Sequence, residues 1–386
     1  MKKVYLDNNA TTALAPEVLE AMLPFYREEF GNPSSIHAFG RGVRVAIDEA
    51  REEVAKLLGA EPGEVIFTSG GTEADNFAIK GVAYACQEYG RHIITSTIEH
   101  PAVLNSCQYL EERGFRVTYL PVNGQGLVDP EDVGKAIDRG TILITIMHAN
   151  NETGSLQPIR EIGKIAQERG ICFHTDAVQS MGKVPFQVKE LGANLLSLSA
   201  HKIHGPKGVG ALYLKKGTKL HPLLHGGHHE RGWRAGTENA AGIAGLGRAC
   251  GLAAQGLPEE VQRLAALRDR LEQGIQEKIR QVKLNGHPTK RLPNTLNCSF
   301  WAIEGESLMI NLDLEGIAVS TGSACASGSI NPSHVLLAMG IPEEICRSSL
   351  RFSLGRFNTV EEIDYTLEVL PRIVDRLRKM SPLWKG

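Results

Sequence analysis

The sequence has no Cys-x-x-Cys pair, and its seven cysteines are an odd number spread along 386 residues. That pattern offers neither a dithiol redox motif nor an even disulfide framework, and it reads as free thiols in a reducing, cytoplasmic setting. No charge of one sign dominates: the formal net charge is −2, so neither nucleic acid nor a membrane surface is expected as the main partner. Long apolar runs are also missing. Met1 to Asp7 meets an acid at once, unlike a secretory leader. The least polar window, Ala240 to Leu257, carries Arg248 and reads as a buried helix, short of a membrane span. There is no internal repeat and no low-complexity linker; the Gly/Ser-rich patch Ser320 to Ser329 comes nearest.

What is present suits a chain of two parts. A chain of this length exceeds one small core, so a large and a smaller domain are expected. Between Glu64 and Leu214, β-branched runs (Val65–Phe67, His92–Thr95, Arg116–Leu120, Ile142–Ile146 and Ile171–His174) alternate with amphipathic stretches such as Thr72–Tyr89 and Pro158–Arg169. The alternation predicts an α/β fold, a mainly parallel sheet flanked by helices, with ligands bound at the carboxyl ends of the strands. From Pro258 the pattern changes. A charged helix over Pro258–Val282, strands over Asn294–Phe300 and Ser349–Leu354, and helices over Glu304–Leu314 and Val360–Arg378 predict a smaller α+β domain. Residues 15–257 thus form the expected large domain, and residues 1–14 with 258–386 the small one.

The chemically loaded residues follow the predicted strands. Lys202 lies in Ser199-Ala200-His201-Lys202, shortly after the strand-terminal Asp176. A pyridoxal phosphate (PLP) enzyme needs this pair, a lysine for the Schiff base and a carboxylate to hold the pyridine nitrogen protonated. Lys207 competes for the lysine role, and Asp176 alone would read as a turn residue. Gln179 could donate to the cofactor's ring oxygen or sit on a solvated face. In Ser69-Gly70-Gly71-Thr72 the paired glycines open a helix whose N-terminus suits a phosphate. Thr72 or Ser69 as an N-cap is the plainer reading, and the two are compatible. His100 is a candidate acid/base group. Asn150 to Gly154 offers donors for a carboxylate or a ring substituent. No metal site is expected: His201 and His204 lack a third ligand at useful spacing. His228, His229 and Glu230 fit better in an anion-binding loop running to Thr237.

Cys325 lies in the small, polar stretch Ser320 to Ser329, which buries a thiol poorly, whereas the other cysteines fall in apolar or helical settings. It is the candidate nucleophile. Arg351 and Arg356 come from the small domain, and Arg351 is the better placed to clamp a carboxylate through its planar fork.

With these residues assembled, the chain resembles the cysteine desulfurases of the NifS/IscS type, within the fold-type I (class V aminotransferase) PLP enzymes. The likeness runs from Tyr5-Leu6-Asp7-Asn8-Asn9-Ala10-Thr11-Thr12 to Leu354-Gly355-Arg356. It takes in Gly31 to Ser35, Thr68 to Asn76, Glu99-His100-Pro101, Asn150 to Gly154 and the Cys325 loop. The resemblance implies that Lys202 holds the cofactor, Asp176 meets its ring nitrogen, His100 stacks on the ring and carries protons, and Gln179 faces the ring oxygen. Gly71, Thr72, Ser199 and His201 would hold the phosphate, with Thr237 supplied across a homodimer interface. Asn151 and Arg351 would fix the substrate carboxylate.

The resemblance further implies L-cysteine as substrate, L-alanine as product and a persulfide on Cys325. The long-loop character of the Cys325 segment implies transfer to a scaffold protein of the IscU/NifU type, with transient iron–sulfur cluster ligation by Cys325 in that complex. Departures are small: Gly71, Ala235 and Ala326 stand where relatives often have Ala, Ser and Thr. The same scaffold could serve a selenocysteine lyase or a class V aminotransferase. A sulfur-carrier or scaffold protein is the non-enzyme alternative.

Overall fold

The computed structural model describes residues 2–321 and 332–384; Cys325 lies outside them. The β-branched runs assemble into one seven-stranded sheet. Its order is Val65–Thr68, Gly210–Leu214, Leu195–Ser199, Cys172–Asp176, Thr141–Thr145, His92–Ser96 and Arg116–Leu120. Gly210–Leu214 runs antiparallel to both neighbours, and all other pairings are parallel. The inner strands are buried on both faces, as the near-continuous apolar runs require. Leu195–Ser199 and Gly210–Leu214 go beyond the strands expected from sequence. One runs into the polar lysine turn and the other begins on a glycine, so neither announces itself by pattern.

Ala240–Lys278 is one unbroken helix with Pro258 inside it, where the sequence suggests a new helix starting at that proline. Pro258 removes one backbone hydrogen bond. The helix survives because its two halves are anchored separately. Ile243, Leu246, Ala249 and Cys250 sit in the core under the large sheet, whereas Leu264, Leu267, Leu271 and Ile275 sit in a second core. The first half lies against the helix Ala38–Leu58 so closely that a Cβ on Gly247 would meet Ala50 at 2.6 Å. Close helix approach is the reason for the small residues there.

The second core is built on a three-stranded antiparallel sheet, Ser349–Ser353, Thr295–Phe300 and Val282–Asn285. The chain start joins it: Val4–Tyr5 pairs in parallel with Ile317–Ala318, and Val4 and Leu6 are buried there. Residues 7–12 then cross toward the ends of the large-sheet strands. The backbone N–H and hydroxyl of Thr12 both donate to the His201 carbonyl at 3.0 Å.

Candidate active site

A cavity of about 240 Å³ opens at the carboxyl ends of the parallel strands. Gly71, Thr72, His100, Asn151, Asp176, Gln179, Ser199, His201 and Lys202 all line it, so every cofactor candidate except Thr237 converges on one space. These residues are spread over 132 positions of sequence (71 to 202), and the strand ends bring them together. Asn9, Ala10, Asp75, Met147 and Val178 complete the wall.

Lys202 ends the short helical turn Ala200–Lys202 that follows the strand Leu195–Ser199. Its Nζ donates to the Asn9 carbonyl at 2.5 Å and to the Ala10 carbonyl at 2.8 Å. Lys207 is exposed, whereas Lys202 is buried and lines the cavity. Asp176 ends the neighbouring strand in the sheet, and its Oδ1 accepts from the Val178 N–H at 2.9 Å. Burial raises the Asp176 carboxyl above its ordinary range, while that N–H and the charge of Lys202 pull it down. Asp75, fully buried, is raised well above the carboxylate range by burial and by Asp176. Burial thus pushes both carboxyls toward the protonated form, and Asp176 adds to the push on Asp75.

The helix Gly71–Cys86 points its start at the same cavity. Its N-cap is Gly70, at φ 153°, and no side chain caps it, so neither Ser69 nor Thr72 fills that role. Its first-turn N–H groups keep their capacity for an anion, and the macrodipole adds to it. Glu73 bends away to accept from Ser69 N at 2.7 Å and from Arg234 Nε at 2.8 Å, which keeps its charge off that end.

His100 caps the helix Pro101–Glu111, its Nδ1 accepting from Ala102 N at 3.1 Å. Burial, followed by Lys202 and His334, lowers its pKa to about 4. The ring is neutral at physiological pH, and with Nδ1 occupied its proton resides on Nε2. Gln179 donates from Nε2 to the Asn9 carbonyl at 3.0 Å. His201 meets the Thr11 hydroxyl through Nδ1 at 3.1 Å.

Arg351 and Thr237 lie outside the cavity lining. Arg351 is 1% exposed and held by Asp7 and the Asn151 carbonyl. Thr237 is exposed on this chain. In the loop suggested as an anion site, the cations are already engaged. Arg231 donates to the Val65 carbonyl, and Arg234 to Glu73. Glu230 is buried between both arms of Arg51 at 2.7 Å and the Phe67 N–H at 2.9 Å, a structural ion pair. His204 binds the Ala13 carbonyl at 2.9 Å. Sequence reasoning passed over Asn9, Ala10 and Asp75. Asn9 and Ala10 act here through main-chain carbonyls, which residue type does not reveal.

The aminotransferase class-V family matches residues 4–366. A relative from Dictyoglomus turgidum named cysteine desulfurase IscS is 57% identical, with 100% of this chain and 98% of the relative covered. One of the same name from Methanosarcina thermophila is 58% identical, covering 99% of this chain and 94% of the relative. Among solved structures, a NifS-like protein superposes with a TM-score of 0.92 at 42% identity, covering 97% of this chain and all of that one. A structure described as SspA in complex with cysteine reaches 0.83 at 41% identity, covering 92% of this chain and all of its own. A family match over most of the length, a shared fold and a strand-end cavity built from the expected residues agree, and the chain belongs to the class-V aminotransferase family, among its NifS/IscS-type cysteine desulfurases.

Proposed function

We propose that this chain is a PLP-dependent cysteine desulfurase, which takes sulfur from L-cysteine, releases L-alanine and leaves a persulfide on Cys325. The observation that carries this is one cavity holding a buried lysine amine, a buried carboxylate and an uncapped helix start. Those groups fit the aldehyde, the ring nitrogen and the phosphate of PLP. When bound, PLP supplies an electron sink for bonds broken at the substrate α-carbon.

The chain's own residues do the rest. Lys202 would hold the cofactor through Nζ, and its amine would accept the substrate α-proton. Asp176 would meet the ring nitrogen and hold its proton. His100 presents its Nε2 proton to the reacting atoms. Gly71, Thr72, Ser199 and His201 hold the phosphate, and Gln179 faces the ring oxygen. Asn151 and Arg351 hold the substrate carboxylate. The Cys325 thiolate bonds to the substrate sulfur as the C–S bond breaks, and the electron pair stays with the carbon, which takes a proton and leaves as alanine.

The two cores support residues 15–257 as the PLP-binding domain and residues 1–14 with 258–386 as the domain carrying Cys325. Thr237, exposed here, suits a role in the other subunit's site of a homodimer. The persulfide serves iron–sulfur cluster assembly or other thiolation through a scaffold protein of the IscU/NifU type, with transient cluster ligation by Cys325, in the cytoplasm. No helix among the described residues is long and apolar enough to cross a membrane.

Intact-protein mass spectrometry after addition of L-cysteine tests this reading. One added sulfur on the Cys325 peptide with alanine in solution is expected. Sulfide release at the wild-type rate from Cys325→Ala would sink it. Alanine formation that instead requires a keto acid would indicate an aminotransferase.

A further inference from the structure

Lys183 is buried at 8% exposure, in the turn four residues after Gln179. Its Nζ donates to Gln179 Oε1 at 3.3 Å, while Gln179 Nε2 donates to the Asn9 carbonyl at 3.0 Å. These partners fix which way the amide points. A main-chain carbonyl only accepts, so the amide nitrogen must face Asn9 and the amide oxygen is left for Lys183. The same Asn9 carbonyl accepts from Lys202 Nζ at 2.5 Å. Lys183, Gln179, Asn9 and Lys202 therefore form one hydrogen-bonded chain along the cavity wall.

A buried lysine loses hydration, and an apolar side chain of similar length would fill the space without that penalty. Its retention points to a task for the amine. Burial, then the charges of Lys202 and Arg351, lowers its pKa to about 7. Lys183 and Lys202 also share a second cavity of about 270 Å³, whose other charged or titratable groups are His204, Glu259, Glu260, Arg263 and Arg356.

We infer that Lys183 is a positioning residue for the cofactor site: it holds the Gln179 oxygen and thereby commits the amide nitrogen to the cavity side. The inference rests on the proposed PLP reading and deepens it. Without the Lys183 donor the Asn9 carbonyl alone holds the amide, and the amide oxygen loses the partner that keeps it turned away from the ring oxygen of the cofactor.

The test compares cofactor-loaded Lys183→Met, Lys183→Gln, Gln179→Ala and the Gln179→Ala/Lys183→Met double variant with wild type. Visible absorbance, the pH midpoint of its change and the rate of cofactor loss are the readouts. Lys183→Met is expected to move the spectrum and midpoint and to speed cofactor loss about tenfold, the usual size for a supporting contact. Lys183→Gln keeps a donor and should return close to wild type. With Gln179 already removed, Lys183→Met should add nothing. A wild-type spectrum and retention in Lys183→Met, or fully additive effects, would overturn the inference. If Lys183→Met does not fold, Lys183→Gln decides: a spectrum matching Gln179→Ala counts against, and one matching wild type supports. If wild type lacks a visible band that Lys202→Ala abolishes, the cofactor reading itself fails, independently of Lys183.

Discussion

Arg351 donates from Nη2 to Asp7 Oδ1 at 2.8 Å, and this pair ties the small antiparallel sheet to the crossing N-terminal segment. Its Nη1 donates to the Asn151 carbonyl at 3.0 Å, so the proposed carboxylate clamp is held against the cavity wall from behind. Its Nε, buried, makes no hydrogen bond among the described residues. Arg351→Lys keeps the charge and loses the fork. Steady-state kinetics should show the KM for cysteine raised about tenfold or more, roughly 1.4 kcal/mol, with kcat changed less. Arg351→Met leaves Asp7 without its partner, and denaturant melts should show a loss of about 3–5 kcal/mol. Adding Asp7→Asn should recover part of it. A KM unchanged in Arg351→Lys would remove Arg351 from substrate binding.

Asp176→Asn removes the charge that, on the proposed reading, meets the ring nitrogen, and leaves Lys202 in place. The visible band of the loaded enzyme should persist while kcat falls about a hundredfold or more. Asp176→Glu should recover part of the rate. Full activity in Asp176→Asn, assayed by alanine formation, would be incompatible with the assigned role.

Gly71 is packed against Val178: a Cβ at position 71 would meet Val178 Cγ2 at 2.7 Å. Gly71→Ala should destabilise by about 1–3 kcal/mol through overpacking and slow cofactor loading. Gly71→Ala with Val178→Ala should recover most of both, since the contact is between those two side chains. Equal losses with and without the Val178 change would place the strain elsewhere.

Glu152 is buried and accepts from the Ser333 hydroxyl at 2.5 Å. Burial raises its pKa from 4.5 to about 7, with Ser333 and Arg351 lowering it in part. The sign comes from proton counts. Between pH 4.5 and about 7 the folded chain keeps a proton that the unfolded chain has lost. Stability from this group therefore declines as pH rises through that window and levels off above it. Glu152→Gln does not titrate, so its thermal stability relative to wild type should improve from about pH 5 to about pH 7 and hold constant beyond. A pH-independent difference would show that Glu152 is already ionised when folded.

Cys325→Ser should retain the visible band of the loaded enzyme, because the proposed nucleophile is a different residue from the proposed cofactor anchor, Lys202. Sulfur transfer should fall about a hundredfold or more, read as loss of the added mass after cysteine. Loss of the band in Cys325→Ser would mean that the residue also supports cofactor binding.

Much of this site was legible because strand ends carry their own punctuation. Asp176 ends an apolar run, His100 precedes a proline, and Gly70-Gly71 breaks a strand into a helix. The parallel sheet gathers the loops at its strands' carboxyl ends along one edge. Arg351 was legible as a cation and not as a buried pair, because Asp7 lies 344 residues away in sequence. Lys183 and Asp75 were hidden for a related reason. A lysine in a turn and an acid in a helix ordinarily face water, and only packing shows these two buried.

Residue order alone determined the family, and it nominated Lys202 with Asp176 and Cys325 as the proposed nucleophile, since these depend on residue types in local motifs. Tertiary structure decided which lysine is buried, which acids are buried beside it, and that Pro258 lies within a helix spanning two cores. Those outcomes arise from desolvation and from contacts between distant segments, and neither is a property of any short stretch of chain.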